Sequence, residues 1–153
     1  EVTEATLHRV FDEMNRQNVL LEGILLKPNM VLSGKDAASR AGPEAVGEAT
    51  VRCFKRAVPA AVPGIVFLSG GQSDDEATSN LNAINVEAAK VGAPWTISYS
   101  FGRGLQAAPL KAWLGKVENV PAAQAAFNHR ATLTSAAQQG KYTPDMEKQS
   151  ARV

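Results

Sequence analysis

Three apolar runs, each cut off by glycine or proline and each followed by a segment of helical period, constrain what this chain can fold into more than any other feature. The first, Asn18 to Lys27 (NVLLEGILLK), is too continuously apolar for a half-exposed strand, and Pro28 stops pairing at its far end. The second, GIVFLSGG, carries Ile65, Val66, Phe67 and Leu68 and closes on two glycines. The third, WTISYSF, follows Gly92 and Pro94 and ends at Gly102, Arg103 and Gly104. All three read as buried strands.

The intervening segments read as helices. From Thr3 to Arg16 the apolar residues Leu7, Val10, Phe11 and Met14 recur at helical spacing, with Thr3 placed to cap. After the polar loop VLSGKDAASRAG, Pro43 and Glu44 suit a first helical turn ahead of Val46, Ala49, Cys53, Phe54 and Ala57. Ser73 and Glu76 form a capping box for a helix through Leu81, Ile84 and Ala88. Further helices are predicted roughly over Gln106–Leu114 and Pro121–Gln139. The expected division is an α/β unit over 1–139 and a polar C-terminal tail over 140–153, which contains Pro144.

Buried strands alternating with helices require right-handed crossovers and a parallel sheet. Three strands leave two edges unprotected, whereas a TIM (β/α)8 barrel has eight such units in about 250 residues. Periodicity alone leaves open a small α/β domain or part of a closed barrel.

Composition narrows the function classes. With 44% hydrophobic and 20% charged residues, the 153-residue chain has the makeup of a globular domain. Sixteen Lys and Arg against fifteen Asp and Glu leave a formal charge of +1, so no extended basic field is available for nucleic acid or an acidic membrane. A single cysteine, Cys53, forms no internal disulfide and fits a reducing compartment. No Cys/His cluster has zinc-site spacing. The opening EVTEATLHRVFDEM does not read as a signal peptide, no apolar run reaches the length of a bilayer span, and Ala151, Arg152 and Val153 are not a peroxisomal tripeptide. A soluble cytoplasmic protein without a nucleic-acid or membrane partner is the expectation.

Candidate chemistry collects at the strand ends. Lys27 directly follows Ile24, Leu25 and Leu26; an ammonium in apolar surroundings is poorly solvated, which favours the neutral, nucleophilic amine. A lysine there also simply marks where a strand meets solvent. Ser69, Gly70 and Gly71 lie between a strand and a helix N-terminus, where glycines admit an anion to backbone N–H groups, although the same residues make an ordinary turn. Ser100, Gly102 and Arg103 place a permanent cation beside glycines, or equally a surface arginine in a loop. On consecutive strands of a barrel, all three ends would share one rim, an amine nucleophile beside a phosphate cradle. Cys53 reads as packing, His8 and His129 lack partners at ligand spacing, and Trp95 and Trp113 read as structural.

Around Lys27 the string LLEGILLKPNMV resembles the Schiff-base strand of class I fructose-bisphosphate aldolases. TVRCFKRAVPAAVPGIVFLSGGQSDDEATSNLNAIN, SFGRGLQAAPLKAWLGK and QGKYTP resemble the same family in the same order, covering nearly the whole chain. VLLEGILLKPNMVLSGKD and YTPDMEKQ look more like bacterial members than animal ones. The resemblance implies a TIM (β/α)8 barrel of which this chain covers the last three strand-helix units and the C-terminal helices. It implies Lys27 as the Schiff-base residue and Ser69, Gly70, Gly71, Ser100, Gly102 and Arg103 around a substrate phosphate. The implied activity is metal-independent and cofactor-free: reversible cleavage of fructose 1,6-bisphosphate to dihydroxyacetone phosphate and glyceraldehyde 3-phosphate in glycolysis, by a homotetramer. In the family the acid/base glutamate, an accessory lysine and an aspartate come from a region preceding the counterpart of Glu1, and many eukaryotic members end in a tyrosine where this chain ends Arg152, Val153. A noncatalytic α/β module that keeps aldolase sequence is the alternative.

Overall fold

A computed structural model describes residues 1–148. Helix α1 (Val2–Arg16) leads through a 3-10 turn (Leu21–Gly23) to strand β1 (Leu25–Leu26). Then follow α2 (Pro43–Ala57), β2 (Gly64–Phe67), α3 (Asp74–Lys90), β3 (Thr96–Tyr99), α4 (Arg103–Trp113) and α5 (Val120–Gln138), with short 3-10 turns at Val117–Asn119 and Pro144–Lys148. The strands form one parallel sheet in the order β1-β2-β3, with Leu26 opposite Ile65 and Ile65 opposite Ile97. This is the expected alternation, each strand returning beside its predecessor through a helix.

Local chemistry accounts for the boundaries. Asn18, at φ 55, adopts the left-handed conformation and lets the Val19 N–H reach the Met14 carbonyl at 3.0 Å, closing α1. The apolar run after it is not one strand as expected. Glu22 and Gly23 bend it into a 3-10 turn, and only Leu25 and Leu26 pair with β2. The capping expectations are met in part. Thr3 lies inside α1, whose N-cap is Glu1 without a side-chain bond. Pro43 occupies the first turn of α2 as read. Ser73 Oγ accepts the Glu76 N–H at 3.2 Å, but the Glu76 carboxylate pairs with Arg40 at 3.0 Å and does not return to the Ser73 backbone. α4 starts at Arg103, three residues earlier than predicted.

Side chains alternate along each strand, so the register sorts them by face. Leu26, Ile65, Phe67 and Ile97 point into the helical layer and are buried. There Phe67 stacks on Phe54 of α2, with ring centroids 5.6 Å apart, and Leu81 and Ile84 of α3 are wholly enclosed. Each such side chain contributes about 2 kcal/mol relative to leaving it in water. The opposite face carries Leu25, Val66, Thr96 and Ser98 and is only partly covered: Leu25 is 64% exposed. The strands are therefore not buried on both faces as the sequence predicts. Helices cover one side, and the other is open, which is how a segment of a closed barrel lies when its inner face is viewed alone.

Residues 141–148 are not a free tail. Tyr142 is buried, its N–H donates to Asn82 Oδ1 at 2.9 Å, and the Lys141 N–H caps α5 through the Ala136 carbonyl at 2.9 Å. The rest of the expected tail, 149–153, lies outside the described residues.

Candidate active site

The parallel ladder continues past the regular strands and holds their C-terminal ends together. The Leu68 N–H donates to the Pro28 carbonyl at 3.1 Å and the Ser100 N–H to the Phe67 carbonyl at 2.8 Å. The segments that carry Lys27, Ser69 and Ser100 are thereby drawn to one rim. A depression of about 450 Å³ opens there, lined by Lys27, Leu68, Ser69, Gly70, Ser100, Phe101, Gly102 and Arg103. Six of the seven residues anticipated from the sequence line it. Gly71 does not, although it continues the same turn.

Lys27 is two residues beyond Leu25 and shares its parity, so it falls on the open face of the sheet. It is exposed, contrary to the apolar enclosure expected for it, because no element of the described residues lies across that face. Ser69 is 6% exposed and fixed in the turn that follows β2. Gly70 (φ 60) and Gly71 (φ 81) take successive left-handed conformations, which a side chain at either position would strain. A Cβ on Gly70 would also run into the Asn29 amide, although that side chain can move aside. Arg103 is exposed at the first turn of α4, where backbone N–H groups have no intrahelical acceptor and the helix dipole favours an anion.

The lining supplies one primary amine, one guanidinium, two hydroxyls and a cluster of main-chain donors, and it includes no carboxylate or imidazole. Positive charge, main-chain donors and an amine in one lining are the chemistry that suits an anion beside a nucleophile. Asp74 and Asp75 do not line it. Burial pushes the Asp74 carboxyl above its ordinary value, with Arg130 opposing that rise and Asp75 and Glu147 adding to it.

Sequence reasoning missed three residues around this rim. Gly104 is buried where a Cβ would come 3.3 Å from both Ser69 Cβ and Phe101 Cδ2, so its lack of a side chain lets α4 approach the serine. Gln72 and the buried Asn80 form a hydrogen-bonded pair beneath the glycine turn, at 2.6 Å. The Gly104 signal was visible in the FGRG string; the pairing of Gln72 with Asn80, eight residues on and across a helix start, was not. Residues discounted in the sequence keep structural roles. Cys53 is buried on α2, and Trp95 Nε1 donates to the Pro59 carbonyl at 3.0 Å. His129 stands 4.0 Å from Glu147, away from the depression.

Fold and site together define an α/β barrel segment with a lysine, a glycine turn and an arginine on the C-terminal rim of its strands. The family described as fructose-bisphosphate aldolase class-I matches residues 1–153. Fructose-bisphosphate aldolase 2 of Caenorhabditis elegans is 54% identical over 142 residues, covering 93% of this chain and 38% of the nematode protein. Cytosolic fructose-bisphosphate aldolase 5 of Arabidopsis thaliana is 56% identical over 142 residues, covering 93% of this chain and 39% of the plant protein. Among solved structures, the fructose-bisphosphate aldolase of Plasmodium falciparum, in a ternary complex with TRAP and a small-molecule inhibitor, superposes with a TM-score of 0.87 at 48% identity, over 93% of this chain and 40% of that one. The chain belongs to the class I fructose-bisphosphate aldolase family. It spans 38% to 39% of the length of these two curated relatives, and its sheet is a segment of the family's (β/α)8 barrel.

Proposed function

We propose that the chain supplies the Schiff-base lysine and a phosphate cradle of a class I aldolase that cleaves fructose 1,6-bisphosphate reversibly to dihydroxyacetone phosphate and glyceraldehyde 3-phosphate, as in glycolysis. The observation that carries this reading is the single depression shared by Lys27, Ser69, Gly70, Ser100, Gly102 and Arg103. In this reading the Lys27 amine adds to the ketose C2 carbonyl and water departs, leaving an iminium. The C3–C4 bond then breaks, its electron pair moves into the iminium to give an enamine, and the C4 hydroxyl proton passes to a base. No side chain lining the depression accepts that proton, so the base belongs elsewhere in the assembled site.

The main-chain donors of the glycine turn, the Ser69 and Ser100 hydroxyls and the Arg103 guanidinium hold a phosphate and so fix where the carbonyl meets Lys27. Gly71 belongs to the same cradle through the turn geometry. Assembly as a homotetramer and a cytoplasmic location are part of the reading. The location is supported by relatives named cytosolic in Arabidopsis thaliana and cytoplasmic in Pisum sativum. No helix of the described residues is long and apolar enough to cross a membrane.

Arg103→Ala in the intact polypeptide that carries this chain tests the cradle. The expected outcome is a loss of about tenfold or more in kcat/KM for the bisphosphate, the size of one charge-assisted contact, with little change for unphosphorylated fructose. Equal losses for both substrates would remove the phosphate from this site.

A further inference from the structure

The glycine turn beside Lys27 is braced from below by a side chain that does not reach the depression. Gln72 Nε2 donates to the Ser69 carbonyl at 2.7 Å, and the Gln72 backbone N–H donates to the same oxygen at 3.1 Å. The second Nε2 hydrogen meets the sulfur of Met30 at 3.6 Å, and Oε1 accepts from Asn80 Nδ2 at 2.6 Å. Both Nε2 hydrogens and the Oε1 acceptor of the amide thus have partners. Reversing it would set Oε1 against a carbonyl oxygen and a thioether, both acceptors, and Nε2 against the Asn80 amide nitrogen, a donor. The Ser69 carbonyl therefore sets which way the Gln72 amide faces, and Asn80, 2% exposed on α3, complements that orientation from the other side.

That direction matters because of the peptide plane between Ser69 and Gly70. The bond is trans, so its N–H points opposite to its C=O. With the Ser69 carbonyl drawn inward by two Gln72 donors, the Gly70 N–H is turned outward, on the side where Gly70 lines the depression. Two left-handed glycines would otherwise give this turn more freedom than any other pair of residues. Met30 adds a second link: it is buried three residues after Lys27, so the same amide ties the lysine's segment to the turn.

We propose that Gln72, held between the Ser69 carbonyl and Asn80, is the positioning residue that aims the Gly70 N–H at the substrate phosphate and keeps that phosphate in register with Lys27. The assignment rests on the reading of this depression as a phosphate cradle. Neither residue touches substrate, since neither lines the depression.

The test uses the intact polypeptide, with Gln72→Met to remove both donors at similar volume and Asn80→Asp to offer an acceptor where Gln72 now finds a donor. The carboxylate would pull the Gln72 Nε2 toward itself and turn its oxygen onto the Ser69 carbonyl. Each variant is expected to raise the KM for fructose 1,6-bisphosphate and the inhibition constant of inorganic phosphate by about fivefold, the size of one hydrogen bond, with kcat/KM for unphosphorylated fructose retained. The double variant is expected to be no worse than Gln72→Met alone, because both changes act on one contact. Gln72→Glu, which preserves shape without the donors, should match Gln72→Met and serves if the methionine variant fails to fold. Parallel losses for phosphorylated and unphosphorylated substrates, additive effects, or no effect on phosphate would overturn the assignment. If Arg103→Ala lowers phosphate affinity selectively while the Gln72 variants do not, only the positioning role falls. If Arg103→Ala also lacks a phosphate-selective effect, the cradle itself is wrong.

Discussion

Arg130 of α5 donates through Nη1 to Glu147 Oε2 at 2.6 Å, joining the last long helix to the segment that follows it. Its Nη2 donates to the Asp74 carbonyl at 3.0 Å and to Thr78 Oγ1 at 2.6 Å, so the same guanidinium grips the first turn of α3, just beyond the glycine turn. Glu147 in turn accepts from the Tyr142 hydroxyl at 2.9 Å. The docking of residues 141–148 and the start of α3 thus share one buried cation.

Removing its partner should be costly. Arg130 is 5% exposed and its Nε meets no hydrogen-bond acceptor among the described residues, so Glu147→Ala would leave a buried charge uncompensated. The expected loss is about 2 to 3 kcal/mol, below that of a fully buried pair, because the Glu147 side chain keeps 25% of its surface in water. Chemical denaturation reads the stability, and amide exchange at Tyr142 reads the segment. Unchanged protection at Tyr142 would mean that other contacts hold 141–148 in place.

Asp74 gives a pH signature of known sign. Burial raises its carboxyl pKa in the folded protein, so the folded state binds its proton more tightly than the unfolded chain does. Stability then falls as pH rises from the ordinary carboxylate range through the raised value, and the cost is fully present above it. Asp74→Asn cannot ionise and should escape that cost. The difference in stability, variant minus unaltered protein, should move in favour of the variant between acidic and neutral pH. A difference that is flat, or that moves the other way, would mean that Arg130 and the α3 dipole outweigh burial.

The open sheet face predicts behaviour in isolation. β1 and β3 each have one edge without a strand partner among the described residues, and Leu25 projects from the uncovered side. Expressed alone, residues 1–153 should self-associate and show no aldol cleavage, since unpaired edges recruit other chains and no carboxylate or imidazole lines the depression among the described residues. Sedimentation and a coupled cleavage assay check both halves. A monodisperse monomer with turnover would show that the edges are harmless and that a base is present after all.

The order of helices and strands was legible because period and punctuation changed together, as at Pro43 and at Ser73, and the residues at the strand ends are those that line the rim. The apolar run before Lys27 misled because a fully buried strand and a barrel strand with one open face have the same composition; only register separates Leu25 from Leu26. The exposure of Lys27 follows from that same open face. Contacts between polar side chains far apart in sequence left no pattern to read. Arg130 with Thr78, 52 residues apart, and Tyr142 with Asn82, 60 apart, depend on how α3 and α5 pack. The segment after α5 reads as a polar tail because its buried residue, Tyr142, stands among charged and polar neighbours.

Lys27 is the residue on which the proposed chemistry turns. Dihydroxyacetone phosphate added to the intact polypeptide, followed by borohydride, would reduce an iminium to a stable secondary amine, and peptide mass mapping would locate it. The predicted result is one adduct, on Lys27, that is lost in Lys27→Arg and suppressed by excess inorganic phosphate. An adduct on Lys35 or Lys111 instead, or none under conditions where the enzyme turns over, would contradict it.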